Sequence, residues 1–263
     1  MSERDGFLAF AMACADAADR LAMRWFRREL QAERKPDRTF VTEADRAIER
    51  ELRERIQRAY PRHGVLGEEY AQEPGDGETR WIIDPIDATH SYLRGIPAFA
   101  TLLALEQAGE VVLGVISAPA MGQRWHALRG QGAFCGTRPI HVSSIDALAE
   151  SQVFYASRTA FTELGAEAGF DAVVAQTWRD RGFGDFWGYA LVAEGCGEAM
   201  MEPELQPWDL AAPLCIVEEA GGRLTDFRGR RTYAGGNALA SNGRLHDLIL
   251  ELLAGRKAGS GPG

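Results

Sequence analysis

Two aspartates three residues apart, Asp84 and Asp87, stand in the stretch W-I-I-D-P-I-D-A-T-H-S-Y-L-R-G-I-P, residues 81–97. Pro85 between them fixes one backbone dihedral and supplies no N–H. A chain that turns sharply there lets both carboxylates converge and leaves the Ile86 carbonyl available. Two carboxylates and a carbonyl oxygen are hard ligands suited to Mg²⁺ or a similar ion. Ala88 and Thr89 follow where a helix can open, and the N–H groups of a helix start face a bound anion. Metal ligands beside an anion cradle are what phosphoryl transfer needs. The plainer reading is a solvated cap at a strand end, since Asp84, Asp226 and the pair Glu68–Glu69 all follow apolar runs.

The elements that must carry these residues can be read from periodicity. Residues 2–30 form one long helix, with Phe7, Phe10, Cys14, Ala17, Leu21 and Trp25 at three- and four-residue steps. Pro36 and a run of charges break it. A second helix follows Thr42, its natural N-cap, with Glu43 and Asp45 suited to the positive end and Ala47, Ile48, Leu52 and Ile56 along one face; Pro61 ends it. Residues 63–70 are a short strand running into a polar loop, and Trp81–Asp84 a strand. From Phe99 the pattern is an antiparallel meander with turns at Ala108–Gly109, Met121–Gly122 and Gly130. Beyond residue 150, strands are expected at 152–156, 172–177, 198–202, 223–226 and 238–241, and helices at 185–194, 208–220 and 245–253. The organisation expected is an α+β half over 1–150, an α/β half over 151–254 and a flexible tail over 255–263, with layers of helix and sheet. No internal repeat is visible.

Composition narrows the class. The 263 residues are 46% hydrophobic, enough for a sizeable core, and carry a net charge of −9. That charge disfavours nucleic acid as a partner. No apolar run approaches a membrane span, and the N-terminus lacks the order of a secretion signal, so a cytoplasmic protein is expected. Cys14, Cys135, Cys196 and Cys215 have no paired spacing, and the five histidines no metal-ligand spacing. An acidic protein acting on a phosphate ester must neutralise the phosphate locally, through a helix N-terminus, a lysine or a metal ion.

With these residues in view, 81–97 resembles the signature of the inositol monophosphatase family, Mg²⁺-dependent phosphatases of sugar phosphates. Further blocks occur in the family's order: K-P-D-R-T-F-V-T-E-A-D at 35–45, G-E-E at 67–69, and W-D-L-A-A-P-L-C-I-V-E-E-A-G-G at 208–222. The resemblance implies an αβαβα sandwich and commonly a homodimer. It implies two or three Mg²⁺ ions per site, with Mn²⁺ able to substitute. Glu68, Asp84 and the Ile86 carbonyl would hold the first, Asp84, Asp87 and Asp209 the second, with a weaker third sharing Glu68. The N–H groups of Ala88 and Thr89 would cradle the phosphate, and Thr89 paired with Asp45 would deprotonate the attacking water. Lys35 would lie on a loop over the site and Thr42 near Asp45, and Glu69 would either join the metals' outer ligand shell or be solvated. Without the resemblance, Asp209 reads as a helix cap and Asp45 as a helix-surface acid. Ala88 departs from the pattern, which has glycine there; alanine keeps the N–H and favours a helix start, but adds a methyl group beside the phosphate.

The second half, G-D-F-W-G-Y-A-L-V-A-E-G…M-E-P-E, is similar to the bacterial histidinol-phosphate phosphatases of this family. That substrate carries an amine and an imidazole, and Asp185 and Glu202 suit them; Asp185 reads otherwise as an N-cap. Phe186 and Trp187 are candidates to flank a ring or to pack in the core. The expected activity is Mg²⁺-dependent hydrolysis of L-histidinol phosphate in histidine biosynthesis. The alternatives are an inositol-1-phosphate or broad sugar-phosphate phosphatase, and an inactive metal- and ligand-binding regulator, supported by Ala88 alone.

Overall fold

The computed structural model describes residues 3–28, 32–34 and 40–255. Lys35 and the tail beyond residue 255 lie outside the described residues. The helices are α1 (Glu3–Trp25), α2 (Glu43–Ala59), α3 (Thr89–Leu93), α4 (Arg158–Glu163), α5 (Glu167–Val174), α6 (Asp185–Ala193), α7 (Pro207–Glu219) and α8 (His246–Leu253). A hairpin of β1 (Ala32–Arg34) and β2 (Phe40–Thr42) precedes α2. The first large sheet runs in sequence order through β3 (Gly64–Gly67), β4 (Thr79–Asp87), β5 (Ala100–Gln107), β6 (Glu110–Ala118), β7 (Gln123–Leu128), β8 (Ala133–Cys135) and β9 (Arg138–Ile140). Only β3 and β4 pair in parallel there; the rest is the expected meander. The second sheet contains β10 (Gln152–Tyr155), β11 (Arg179–Arg181), β12 (Ala199–Pro203), β13 (Arg223–Thr225) and β14 (Asn237–Ser241), in the order β11-β10-β12-β14-β13.

Three apolar clusters define five layers. Helices α1 and α2 cover one face of the first sheet through Phe7, Ile48, Leu52, Trp81 and Leu103. Helices α6 and α7 fill the space between the sheets, where Tyr189, Leu210 and Leu214 meet Leu102, Ile116 and Met200. Helices α4, α5 and α8 close the far side on Val153, Met201 and Leu239. Strand alternation makes this possible: Met200 of β12 faces inward while Ala199 and Met201 face outward. The layering is αβαβα, as the resemblance implies.

Two expectations are corrected. Residues 172–177 are not a strand: α5 runs through Val174, because Gly169, Phe170 and Val173 share a buried helical face. The first helix ends at Trp25 rather than near residue 30, with Arg27 in a left-handed conformation at φ 61°.

Candidate active site

The convergence of Asp84 and Asp87 is a consequence of a β-bulge. In a regular strand, residues three apart point to opposite faces. Asp84 lies opposite Leu102 and Asp87 opposite Ala100, so three steps on β4 match two on β5. The extra residue turns both carboxylates to one side. The Thr101 hydroxyl donates to the Pro85 carbonyl at 2.8 Å and pins the bulge. Asp209 arrives from the first turn of α7, whose N1 position is Pro207. Carboxylate oxygens of Asp84, Asp87 and Asp209 all lie within 4.8 Å of one another.

Backbone N–H groups orient two of the three. Phe186 N–H donates to Asp87 Oδ2 at 2.6 Å, and Gln206 N–H to Asp209 Oδ2 at 2.7 Å. Asp84 Oδ1 is buried without a hydrogen-bond partner. Burial, then the neighbouring acids Glu68, Asp87 and Asp209, pushes Asp84 well above the usual carboxylate range. Burial, then Asp185 and Asp209, does the same to Asp87, and burial raises Asp209 to about 7. A buried acceptor with no donor, among carboxylate oxygens held at close range against their mutual repulsion, fits a hard divalent cation.

Glu68 lines the same cleft and acts electrostatically on Asp84 and Asp209. Its loop is held from behind by Glu49, a fully buried acid of α2 that accepts from the Glu69 and Tyr70 N–H groups and from Arg53. Gly67 leaves room for that carboxylate, since a Cβ there would stand 2.1 Å from Glu49 Oε1 and displace it. Glu49 follows Asp45 by four residues on the buried face of α2, a spacing legible in the sequence. Glu69 is not among the cleft-lining residues, and its charge acts on Arg46.

Thr42 is the N-cap of α2, and its N–H and hydroxyl both donate to Asp45 Oδ2. Asp45 is fully buried, and desolvation raises it to about 6. The single Thr89 hydroxyl proton has two acceptors in reach, the Ile86 carbonyl at 2.9 Å and Asp45 Oδ1 at 3.4 Å, with the shorter contact to Ile86. The Ile86 oxygen is therefore engaged by Thr89 rather than free, with one lone pair remaining. Ala88 is the N-cap of α3 at φ 63°, ψ 46°, a left-handed residue outside the helix. The expectation that alanine favours the position as a helix former is thereby corrected: the backbone there is one that glycine adopts without strain.

Asp185 opens α6 after an N-cap at Gly184, so it is not the cap, and it too is left-handed at φ 55°. Its carboxylate lies 3.9 Å from His90 Nε2, and its N–H donates to Glu202 Oε1 at 3.3 Å. The Tyr189 hydroxyl donates to Glu202 Oε2 at 3.0 Å. Sequence reasoning missed Tyr189, His90 and the Phe186 N–H, because their partners lie on other elements. The Phe186 ring packs in the core and Trp187 stacks on Phe183, with centroids 4.7 Å apart. The cleft joining these groups measures about 1130 Å³.

A sequence profile described as the inositol monophosphatase family matches residues 3–257. The chain is 46% identical to a protein named histidinol-phosphatase from Streptomyces coelicolor, over 94% of this chain and 96% of that one. It is 43% identical to a protein of the same name from Mycobacterium tuberculosis, over 94% and 97%. Among solved structures, the inositol monophosphatase of an Anabaena (Nostoc) species superposes with a TM-score of 0.86 at 30% identity, over 97% of this chain and 98% of that one. The chain belongs to the inositol monophosphatase family.

Proposed function

We propose that the protein is a divalent-metal-dependent phosphomonoesterase that hydrolyses L-histidinol phosphate to L-histidinol and phosphate, in the cytoplasm, as a homodimer. The observation that carries the reading is the convergence of Asp84, Asp87 and Asp209 within 4.8 Å, with Asp84 Oδ1 buried and unpartnered. The relatives named histidinol-phosphatase support the substrate. Glu68, the trio and the Ile86 carbonyl would hold Mg²⁺ or Mn²⁺, two or three per site. Divalent ions there supply charge neutralisation of the phosphate and acidify the attacking water.

The protein's own groups do the rest. Asp45, with its acid raised to about 6, is mostly ionised at neutral pH and draws a proton from water through Thr89 Oγ1. The N–H groups of Ala88 and Thr89 face the phosphate at the start of α3. Asp185 and Glu202 receive the substrate's amine. The test is phosphate release from histidinol phosphate with and without Mg²⁺, beside inositol 1-phosphate and an Asp87→Asn variant. Rapid Mg²⁺-dependent release from histidinol phosphate, lost in the variant, is expected. Equal rates on both esters would make this a broad sugar-phosphate phosphatase. Negligible release by wild type and variant alike would point to a regulator.

A further inference from the structure

Glu202 is 5% exposed, yet among the described residues its hydrogen bonds come from neutral donors alone, the Tyr189 hydroxyl and the Asp185 N–H. The Asp185 carboxylate beside it has one basic neighbour, the exposed His90 at 3.9 Å. Among the described residues, the cleft is lined by eight carboxylic acids and by neither lysine nor arginine. The trio at one end, with its unpartnered Asp84 oxygen, is accounted for by metal. At the other end Asp185 meets only the exposed His90, and Glu202 meets no cationic side chain among the described residues; a buried carboxylate without one is costly. A ligand ammonium placed there relieves that cost. For the imidazole no second buried charged pair is built: Phe186 is buried in the core and Trp187 is stacked on Phe183, while Phe40, Tyr189 and Trp208 give the cleft aromatic wall of no fixed polarity, and its volume of about 1130 Å³ is roomy for one small ester.

Resting on the function proposed above, we propose that this subsite selects the ammonium group and its distance from the phosphate rather than the ring, so that the protein hydrolyses phosphomonoesters of short amino alcohols as a class and discriminates against esters bearing a second anion. In histidinol phosphate the ammonium sits on the carbon next to the ester-bearing one, as it does in phosphoethanolamine. The reaction is the same: water oxygen forms a new bond to phosphorus, the ester P–O bond breaks, and one water proton ends on the departing alcohol oxygen. Tyr189 is a positioning residue, holding Glu202 by its Oε2 while Oε1 holds the strained Asp185 backbone.

Three esters of one length test this: phosphoethanolamine, 2-hydroxyethyl phosphate and phosphoglycolate, ending in an ammonium, a hydroxyl and a carboxylate. They are assayed with saturating Mg²⁺ beside histidinol phosphate. The expected kcat/KM order is ammonium, hydroxyl, carboxylate, with a step of about tenfold or more between neighbours. Asp185→Asn and Glu202→Gln should each compress the first step, with thermal unfolding as the control for folding. Tyr189→Phe should raise KM for the ammonium ester more than for the hydroxyl ester, whereas a merely structural role would raise both alike and remove Tyr189 from the scheme. Histidinol phosphate hydrolysed with the three short esters untouched, or cleaved without that order, overturns the class proposal and leaves the function standing. The order holding while histidinol phosphate is inert overturns the function and leaves the charge selection. No release from any of the four overturns both.

Discussion

Ala88 holds φ 63° and ψ 46° where the family signature carries glycine. A left-handed residue with a Cβ costs roughly 1–2 kcal/mol, and glycine's extra freedom in the unfolded chain offsets about 0.5–1 kcal/mol of any gain. Ala88→Gly should therefore stabilise the protein by about 0.5–1 kcal/mol, read as a higher midpoint in thermal unfolding. Its effect on phosphate release should stay within about tenfold, because the N–H is unchanged. A gain of several orders of magnitude would show instead that the methyl group had disabled the site. The departure from the signature was visible in the sequence, but its meaning was not. Helix propensity applies inside a helix, and only the backbone dihedrals reveal that residue 88 stands outside one. The carboxylates were legible because D-P-I-D and W-D are local patterns. The Phe186 N–H on Asp87 was not, because it joins residues 99 positions apart.

The elements act as positioning devices through their packing. Helix α7 brings Asp209 to the bulge of β4 by lying directly on β6, at Gly114. A Cβ on Gly114 would stand 2.5 Å from the Ala212 carbonyl oxygen. Gly114→Ala should push α7 outward, cost about 1–3 kcal/mol as overpacking does, and weaken Mg²⁺ binding by displacing Asp209. Calorimetric titration with Mg²⁺ and thermal unfolding read the two effects; unchanged values for both would refute the packing argument. Sequence pattern placed α2, α6, α7 and α8 within one or two residues: α2 and α8 have a clear apolar face, and α6 and α7 are apolar runs opened by Asp185 and by Pro207 with Asp209. It misread 172–177, where Ala-Val-Val looks like strand but the buried face of α5 decides the outcome. In the second half, alternating strands and helices did not reveal that β12, β14 and β13 pair antiparallel.

At the scale of the whole molecule, stability and metal binding are one linked equilibrium. Asp45 and Asp209, raised to about 6 and about 7, bind protons more tightly folded than unfolded, and Asp84, Asp87 and Glu202 are pushed up as well. A raised carboxylate stabilises the fold at low pH, and that contribution is lost as pH rises through the folded value. The metal-free protein should therefore lose stability between about pH 4 and 7, by roughly 2–4 kcal/mol for a group such as Asp209. His246 works in the opposite sense. Buried between Thr225 and Ser241, it is depressed by burial to about 4. The stability tied to its neutral form is complete above its unfolded value of 6.5 and is lost as pH falls toward 4. Mg²⁺ binds the ionised trio, so at a hundredfold excess over its dissociation constant it should restore about 2.7 kcal/mol, and only where the carboxylates are ionised. Thermal midpoints measured from pH 5 to 8, with chelator and then with Mg²⁺, test the linkage. The chelated protein should melt lower at pH 8 than at pH 6, and Mg²⁺ should raise the midpoint far more at pH 8 than at pH 5. A chelated midpoint that climbs steadily to pH 8, or a Mg²⁺ effect equal at both ends, would show that these acids are not the charge the metal neutralises.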